Sequence, residues 1–447
     1  MVRKLTVVTL IILGLSSCVK DKMPELIELD MQLRNLITQV PVTNGNLDFY
    51  VLPEETDLSD IPQDPKNPLT EAKVELGKLL FFETGFSIDA ARTEGVGTYS
   101  CGSCHIPSAG FKPGNFQGIA DGGEAYGING EDRRRHPSYI ESELDVQSAR
   151  PLSLLNVAFV SNTFWNGQFG ANDVNEGTES LWNVEDGTAA NALGFAALET
   201  QNFEGLETHR IHIDIDLIDQ YGYRELFDQS FPELSEEEKY SNFGGSLAMS
   251  AYLRTLLSTE APFQKWLKGE NSALGFEEKN GGILFFGKAN CSACHFNENL
   301  GSTEFHALGV NDMDQIPSYD TSPSDKRNLG RGGFTNLDED FYKFKVPGLY
   351  NIADTPFYFH GASKRSIEDV IDYKIDAQSE NIRVEQSRLS EKFLELSLTA
   401  EEKTYLAAFL KNSLQDPNLN RYLPQEINSG FCFPNNDSES QNDLGCN

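Results

Sequence analysis

The chain has 447 residues, with 68 acidic and 36 basic side chains and a formal net charge of −32. Hydrophobic residues make up 39% and charged residues 23%, the composition of ordinary globular cores in two or three domains. So acidic a surface repels nucleic acid, and no nucleic-acid partner is expected.

Residues 1–18 read as a signal peptide. Arg3 and Lys4 give the positive start, and Leu5 to Leu15 form an apolar run too short to span a bilayer. Leu15-Ser16-Ser17-Cys18 then has the form of a bacterial lipobox, in which the cysteine is acylated and becomes the mature N-terminus. A lipid-anchored protein of the cell envelope is expected, on the periplasmic side or outer surface, held to a membrane through Cys18. Residues 19–65 read as a tether and leader, with one amphipathic piece near Leu26 to Leu36.

A first domain is expected over 66–245. Thr70 is placed to cap a helix to about Phe82, with Val74, Leu76, Leu79 and Leu80 as apolar positions. Cys101-Gly102-Ser103-Cys104-His105 follows, and Cys291-Ser292-Ala293-Cys294-His295 repeats the pattern. C-x-x-C-H is the attachment signature of c-type haem. The two thiols add to the haem vinyl groups as thioethers, and the adjacent histidine becomes the proximal iron ligand. Two cysteine pairs also suit a zinc ribbon, but ribbons place the pairs roughly 15–20 residues apart, and neither pair lies in a thioredoxin-like βαβ pattern. Two covalently bound haem c are therefore expected, with His105 on the first iron and His295 on the second.

The surroundings of the two motifs repeat as well. Gly77-Lys78-Leu79-Leu80-Phe81-Phe82 precedes the first, and Gly281-Gly282-Ile283-Leu284-Phe285-Phe286 precedes the second. Downstream, Pro151, Asn156-Val157-Ala158 and Phe164-Trp165-Asn166-Gly167 are matched by Pro347, Asn351-Ile352-Ala353 and Phe359-His360-Gly361. A second domain is expected over 246–425. A helix over Ser246–Leu257 leads into it, Ser366 caps another through Val370 and Tyr373, and Thr399 with Glu402 forms a capping box. Long loops cover 109–135 and 300–340. No sustained period-2 alternation appears, so strands should be short. The expected fold is mainly α, with two tandem c-type cytochrome domains related by internal duplication. Of seven cysteines, Cys432 and Cys446 remain, in a tail over 426–447, and a disulfide between them fits an oxidising compartment.

These pieces resemble the bacterial dihaem cytochrome c peroxidase family. The likeness rests on Leu76-Gly77-Lys78-Leu79-Leu80-Phe81-Phe82, both haem motifs, Leu155-Asn156-Val157-Ala158-Phe159, Phe164-Trp165-Asn166-Gly167, Phe344-Lys345-Val346-Pro347 and Tyr358-Phe359-His360-Gly361, covering about residues 70–415. The resemblance implies a peroxidase reducing hydrogen peroxide to water, with electrons from a small cytochrome or cupredoxin. The haem on His105 is then peroxidatic and the haem on His295 transfers electrons. Within the same fold an oxidase acting on a protein or organic substrate is the alternative, and a non-catalytic dihaem electron carrier is another. A homodimer is left open.

The resemblance also implies residue roles. Trp165 matches the tryptophan lying between the haems. The family has a glutamine and, ten residues later, a catalytic glutamate. Gln201 fits the first, but Ile211 holds the second place, so Glu207 is favoured as the proton-moving group, with His209 next. The sixth ligand of the second haem falls on Lys374, with Tyr373 and Met313 as alternatives. His136 is a candidate resting-state ligand of the first haem. Family members bind calcium between the domains through an asparagine near Pro151. The place here reads Ala149-Arg150-Pro151, and an arginine side chain cannot ligate calcium, so calcium is expected to be absent or differently bound.

Overall fold

A computed structural model describes residues 23–446; Cys18 and the signal segment lie outside them. The fold is helical, and among the described residues its strands are two short antiparallel pairs, β1 (Gly123–Glu124) with β2 (Arg134–Arg135), and β3 (Phe305–Ala307) with β4 (Lys343–Lys345). The main helices are α1 (Met23–Thr38), α2 (Glu71–Phe82), α3 (Ala197–Thr208), α4 (Asn242–Arg254), α5 (Phe276–Phe286), α6 (Ile367–Asp376) and α7 (Ala400–Ala408). Local chemistry starts several of them as expected. The Thr70, Ser366 and Thr399 hydroxyls accept the backbone N–H groups of Lys73, Asp369 and Glu402, and Thr399 with Glu402 closes a capping box.

The two halves share one local design. α2 crosses α4 at Gly77, where an added Cβ would sit 1.9 Å from Ala248 O; α5 crosses α7 at Gly281, where it would sit 2.0 Å from Tyr405 O. Only a residue without Cβ permits either crossing. In each half the Phe four residues after that glycine turns toward the motif histidine, Phe81 to His105 at 6.5 Å and Phe285 to His295 at 6.4 Å, both at 50°.

Three expectations change. Helix α4 starts a turn earlier than Ser246, capped by Ser241, and it packs into the first half: Leu247, Ala248 and Met249 share a core with Leu76, Leu79 and Leu80. The boundary between the halves therefore lies after α4, not at 246. Residues 23–65 are not a free leader. The apolar stripe of α1 buries Leu33 and Ile37 in the core of the second half, with Phe285 and Phe409. Asp30 there accepts from Trp266 Nε1 at 2.6 Å and pairs with the buried Lys279 ammonium at 2.9 Å. Downstream, Leu52 N donates to Gln264 Oε1 (2.9 Å), whose amide donates back to Tyr50 O (2.9 Å).

The tail, conversely, packs on the first half. Cys432 and Cys446 form the expected disulfide. Asp437 and Asp443 accept from the backbone N–H groups of Ala125, Tyr126 and Gly127, and Ser100 Oγ donates to Pro434 O at 2.9 Å. Among the described residues no helix is long and apolar enough to cross a membrane.

Removing one partner of a buried ion pair leaves the other charge uncompensated, at about 3–5 kcal/mol. Asp30→Ala should therefore lower the unfolding free energy, read from a urea titration, by about that amount and so lower the midpoint, with both cysteine motifs unaltered. A midpoint within error of the parent would show that α1 adds nothing to the fold.

Candidate functional site

Each motif forms a short 3₁₀ turn, Cys101–Ser103 and Cys291–Ala293, that brings its two thiols to one side. The chain then reverses, and the motif histidine is fixed by its own loop. His105 Nδ1 donates to Phe111 O at 3.0 Å and His295 Nδ1 to Leu300 O at 2.8 Å. That bond fixes the tautomer and leaves Nε2 as the unprotonated nitrogen, the form a metal requires. Burial pushes both imidazoles down to about 4, so both are neutral. Burial likewise pushes the Cys101, Cys104 and Cys291 thiols up to about 12, and that of Cys294 upward. All four cysteines are free. Two free thiols and a lone-pair nitrogen at each turn fit a covalently attached haem. Cys294 also lies with Glu304 and His306, their ligand atoms within 4.8 Å, but thioether formation takes that thiol from any metal.

A cavity of about 550 Å³ opens beside the first motif and runs between the halves. Its wall includes Cys104, His105, Trp165, Gln201 and His209. His209, at the C-terminal end of α3, is held by Asp145: Nδ1 to Oδ2 is 2.8 Å. Burial alone would lower this imidazole, but the adjacent carboxylate outweighs it and raises the pKa above the ordinary value.

Glu207 does not reach this cavity. It is exposed, whereas Gln201, Glu204, Gly205 and Thr208 line the wall. These four sit at i, i+3, i+4 and i+7 on α3, one helical face, and Glu207 points off it. Glu204 is thus the carboxylate α3 offers the cavity. Burial, then the neighbouring Glu207, raises its pKa. Neither Glu204 nor Asp145 was singled out from the sequence. Helical spacing from Gln201 would have found Glu204, but Asp145 comes from a distant loop and left no signal.

Trp165 stands at the junction of the halves. Its Nε1 donates to Arg150 O at 2.7 Å, and its ring meets the His360 ring edge-on at 6.1 Å. His360 stacks on Phe344 at 3.6 Å and bonds the buried Asp312 at 2.9 Å. The Arg150 guanidinium is buried among oxygens: Pro113 O at 2.8 Å, Phe116 O at 3.2 Å, Thr355 Oγ1 at 3.0 Å and Asn115 O.

At the second motif, Lys374 lies within electrostatic reach of Cys291, Cys294 and His295, and burial pushes its amine down to about 8. The Tyr373 hydroxyl turns away and donates to Leu308 O at 2.5 Å, its ring packed on Phe359 and Phe393. Met313 is fully buried beside Asp312 and does not line the cavity. His136 also lies off the cavity: Nδ1 bonds Ser138 Oγ at 2.8 Å and the ring lines a small pocket under the tail.

Fold and site thus define a helical c-type cytochrome with two haem-attachment turns sharing one interface. The model of the di-haem cytochrome c peroxidase family matches residues 71–272. Among curated proteins, the methylamine utilization protein MauG of Methylorubrum extorquens is 27% identical over 80% of this chain and 82% of its own length. The cytochrome c551 peroxidase of Pseudomonas aeruginosa is 25% identical over 70% and 74%. The fold is that of a MauG-like protein associated with microbial copper homeostasis (TM-score 0.55, 24% identity, 82% of this chain and 95% of that one) and of the diheme peroxidase BthA from Burkholderia thailandensis (0.50, 16%, 80% and 89%). The chain is thus similar to the di-haem cytochrome c peroxidase family over residues 71–272, and it carries two covalently bound haem c.

Intact-mass analysis of protein made with a haem-attachment system should show two haem additions. Replacing Cys291 and Cys294 together by Ala should leave one. Two haem additions retained in that double variant would dissociate the second motif from attachment.

Proposed function

We propose that this oxidoreductase reduces hydrogen peroxide to water at the haem on His105, with electrons relayed from a small redox protein, such as a cytochrome or cupredoxin, through the haem on His295. The observation that carries this reading is the Asp145–His209 pair on the cavity wall beside His105. When bound, haem iron supplies one-electron redox chemistry and, at a five-coordinate site, a position open to peroxide. The side chains must then move a proton from one peroxide oxygen to the other, so that two electrons and two protons turn H₂O₂ into two waters. His209 suits the task. Asp145 orients the ring through Nδ1 and stabilises its cationic form, and Nε2 has no protein partner among the described residues. Gln201, on the same wall, orients the peroxide. Glu204 is the second proton carrier. Trp165, set between the halves, carries electrons from one haem to the other.

General acid–base groups typically contribute roughly a hundredfold or more. His209→Ala should lower peroxide turnover by at least that much with both haems attached, and Glu207→Gln should turn over normally. Asp145→Asn removes the charge that raises His209. Its pKa should fall, and the limb of the kcat/KM profile that reports it should move to lower pH. An unmoved profile would place the proton carrier elsewhere.

A second reading keeps these residues and changes the reductant to a protein or organic substrate. The likeness to proteins named for methylamine utilization supports it. Peroxide-dependent oxidation of a reduced cytochrome, compared with that of organic reductants, separates the two.

For the second haem the proposed sixth ligand is Lys374, in its neutral form, since Tyr373 has its hydroxyl on Leu308. Lys374→Ala should turn the second haem high-spin in electron paramagnetic resonance, and Tyr373→Phe should not. Retention of the low-spin signal in Lys374→Ala would return the choice to Met313. Arg150 supports independence from calcium, because its own positive charge already sits among four interface oxygens. The Cys432–Cys446 disulfide supports a compartment outside the cytoplasm, with the chain anchored through an acylated Cys18.

A further inference from the structure

One wall of the interface cavity carries a buried cation with no ion-pair partner among the described residues; Asp173 acts on it only at longer range. Lys345, at the end of β4, is 5% exposed and lines the cavity. Its ammonium makes one hydrogen bond, to Ser302 O at 3.3 Å, and lies 5.6 Å from the Phe305 ring centroid. Among the described residues no carboxylate comes within ion-pair distance of it. Two other lysines show the contrast. Buried Lys279 pairs with Asp30, and Lys326, exposed at the cavity mouth, pairs with Asp186. Arg331, a cation acting on Lys345, also makes no ion pair among the described residues and feels Asp340 only at longer range: it donates to the carbonyls of Asn166, Gly167 and Val174 and to Asn175 Oδ1. A buried, unpaired ammonium is unfavourable unless an anion or deprotonation relieves it. Burial here pushes it down to about 8.

We infer that Lys345 is the counter-charge of a carboxylate, and that this carboxylate is a propionate of the haem held by Cys291, Cys294 and His295. The assignment to that haem follows from the chain. Ser302, which holds the amine, lies two residues beyond Leu300, whose carbonyl fixes His295. Asn299, Ser302 and Lys345 border the cavity together. The inference rests on the two-haem content of the chain. A cation beside a haem carboxylate favours the reduced iron, which carries one positive charge fewer, so Lys345 tunes the potential of the second haem rather than touching peroxide.

The test is spectroelectrochemical titration of the holoprotein. Lys345→Met should shift the one-electron reduction equilibrium of one haem about tenfold toward the oxidised form, about 59 mV, and leave the other unchanged. Lys345→Arg should restore most of the shift. Should Met be incompatible with haem retention, Lys345→Gln keeps a donor without the charge and is read the same way. Potentials of both haems within twofold of the parent equilibrium would overturn the inference. So would a parent potential that moves saturably with added acetate and loses that response in Lys345→Met, because the partner would then be a free carboxylate. Intact mass is read in parallel: a parent carrying fewer than two haems would instead fault the two-haem content itself.

Discussion

The site depends on a pair of backbone hydrogen bonds exchanged between the halves. Arg150 N donates to His360 O at 2.7 Å, and Lys345 N donates to Trp165 O at 2.8 Å. Each donor lies just ahead of a proline-containing stretch, and each acceptor lies in the Phe-Trp-Asn-Gly or Phe-His-Gly segment of the other half. The residue before each acceptor, Phe164 or Phe359, has a positive φ, 71° or 66°. Bulky residues avoid that region, so the strain persists only where surroundings over-determine it. The exchange therefore sets the two rings, Trp165 and His360, face to edge across the junction. A buried amide left without its partner would cost about 1–3 kcal/mol, so the halves cannot slide past one another without losing both bonds.

The chain ends reinforce this lock in opposite senses. The N-terminal segment is built into the second half through Asp30, Leu33 and Tyr50, and the C-terminal tail is built onto the first through Pro434, Asp437 and Asp443. Each half thus holds the far end of the other. The tail also covers the outer side of the first attachment turn. A Cβ on Gly102 would meet Pro434 at 2.8 Å and Phe82 at 2.7 Å. The His105 side of that turn stays open to the cavity, and the opposite side is packed.

What was legible in the sequence was chemistry carried by spacing. C-x-x-C-H places two thiols and an imidazole on one turn whatever surrounds them, and the capping hydroxyls of Thr70, Ser366 and Thr399 act within one turn of themselves. What was not legible depends on orientation and on distant partners. Glu207 and Glu204 differ by three residues, but only one shares the Gln201 face of α3. Lys374 and Tyr373 are adjacent, yet about 100° of helical rotation separates them, and the hydrogen bond to Leu308 decides which way the tyrosine turns. The amphipathic piece near Leu26 to Leu36 was visible, but nothing local says that its stripe closes a core more than 200 residues away rather than ending in a tether.

Two of the buried cations at the interface stand in the repeated segments. Arg150 and Lys345 occupy matching places, each donating its backbone N–H across the junction. They differ in how the side-chain charge is met. Arg150 has a forked donor set and collects three carbonyls and a hydroxyl, which satisfies its geometry without another charge. Lys345 is a point charge with one distant carbonyl, and a point charge in a buried cavity calls for an anion. In a chain of net charge −32 that anion was available from many side chains, yet none was placed there. The propionate inferred above would fill that gap in the protein's own charge pattern.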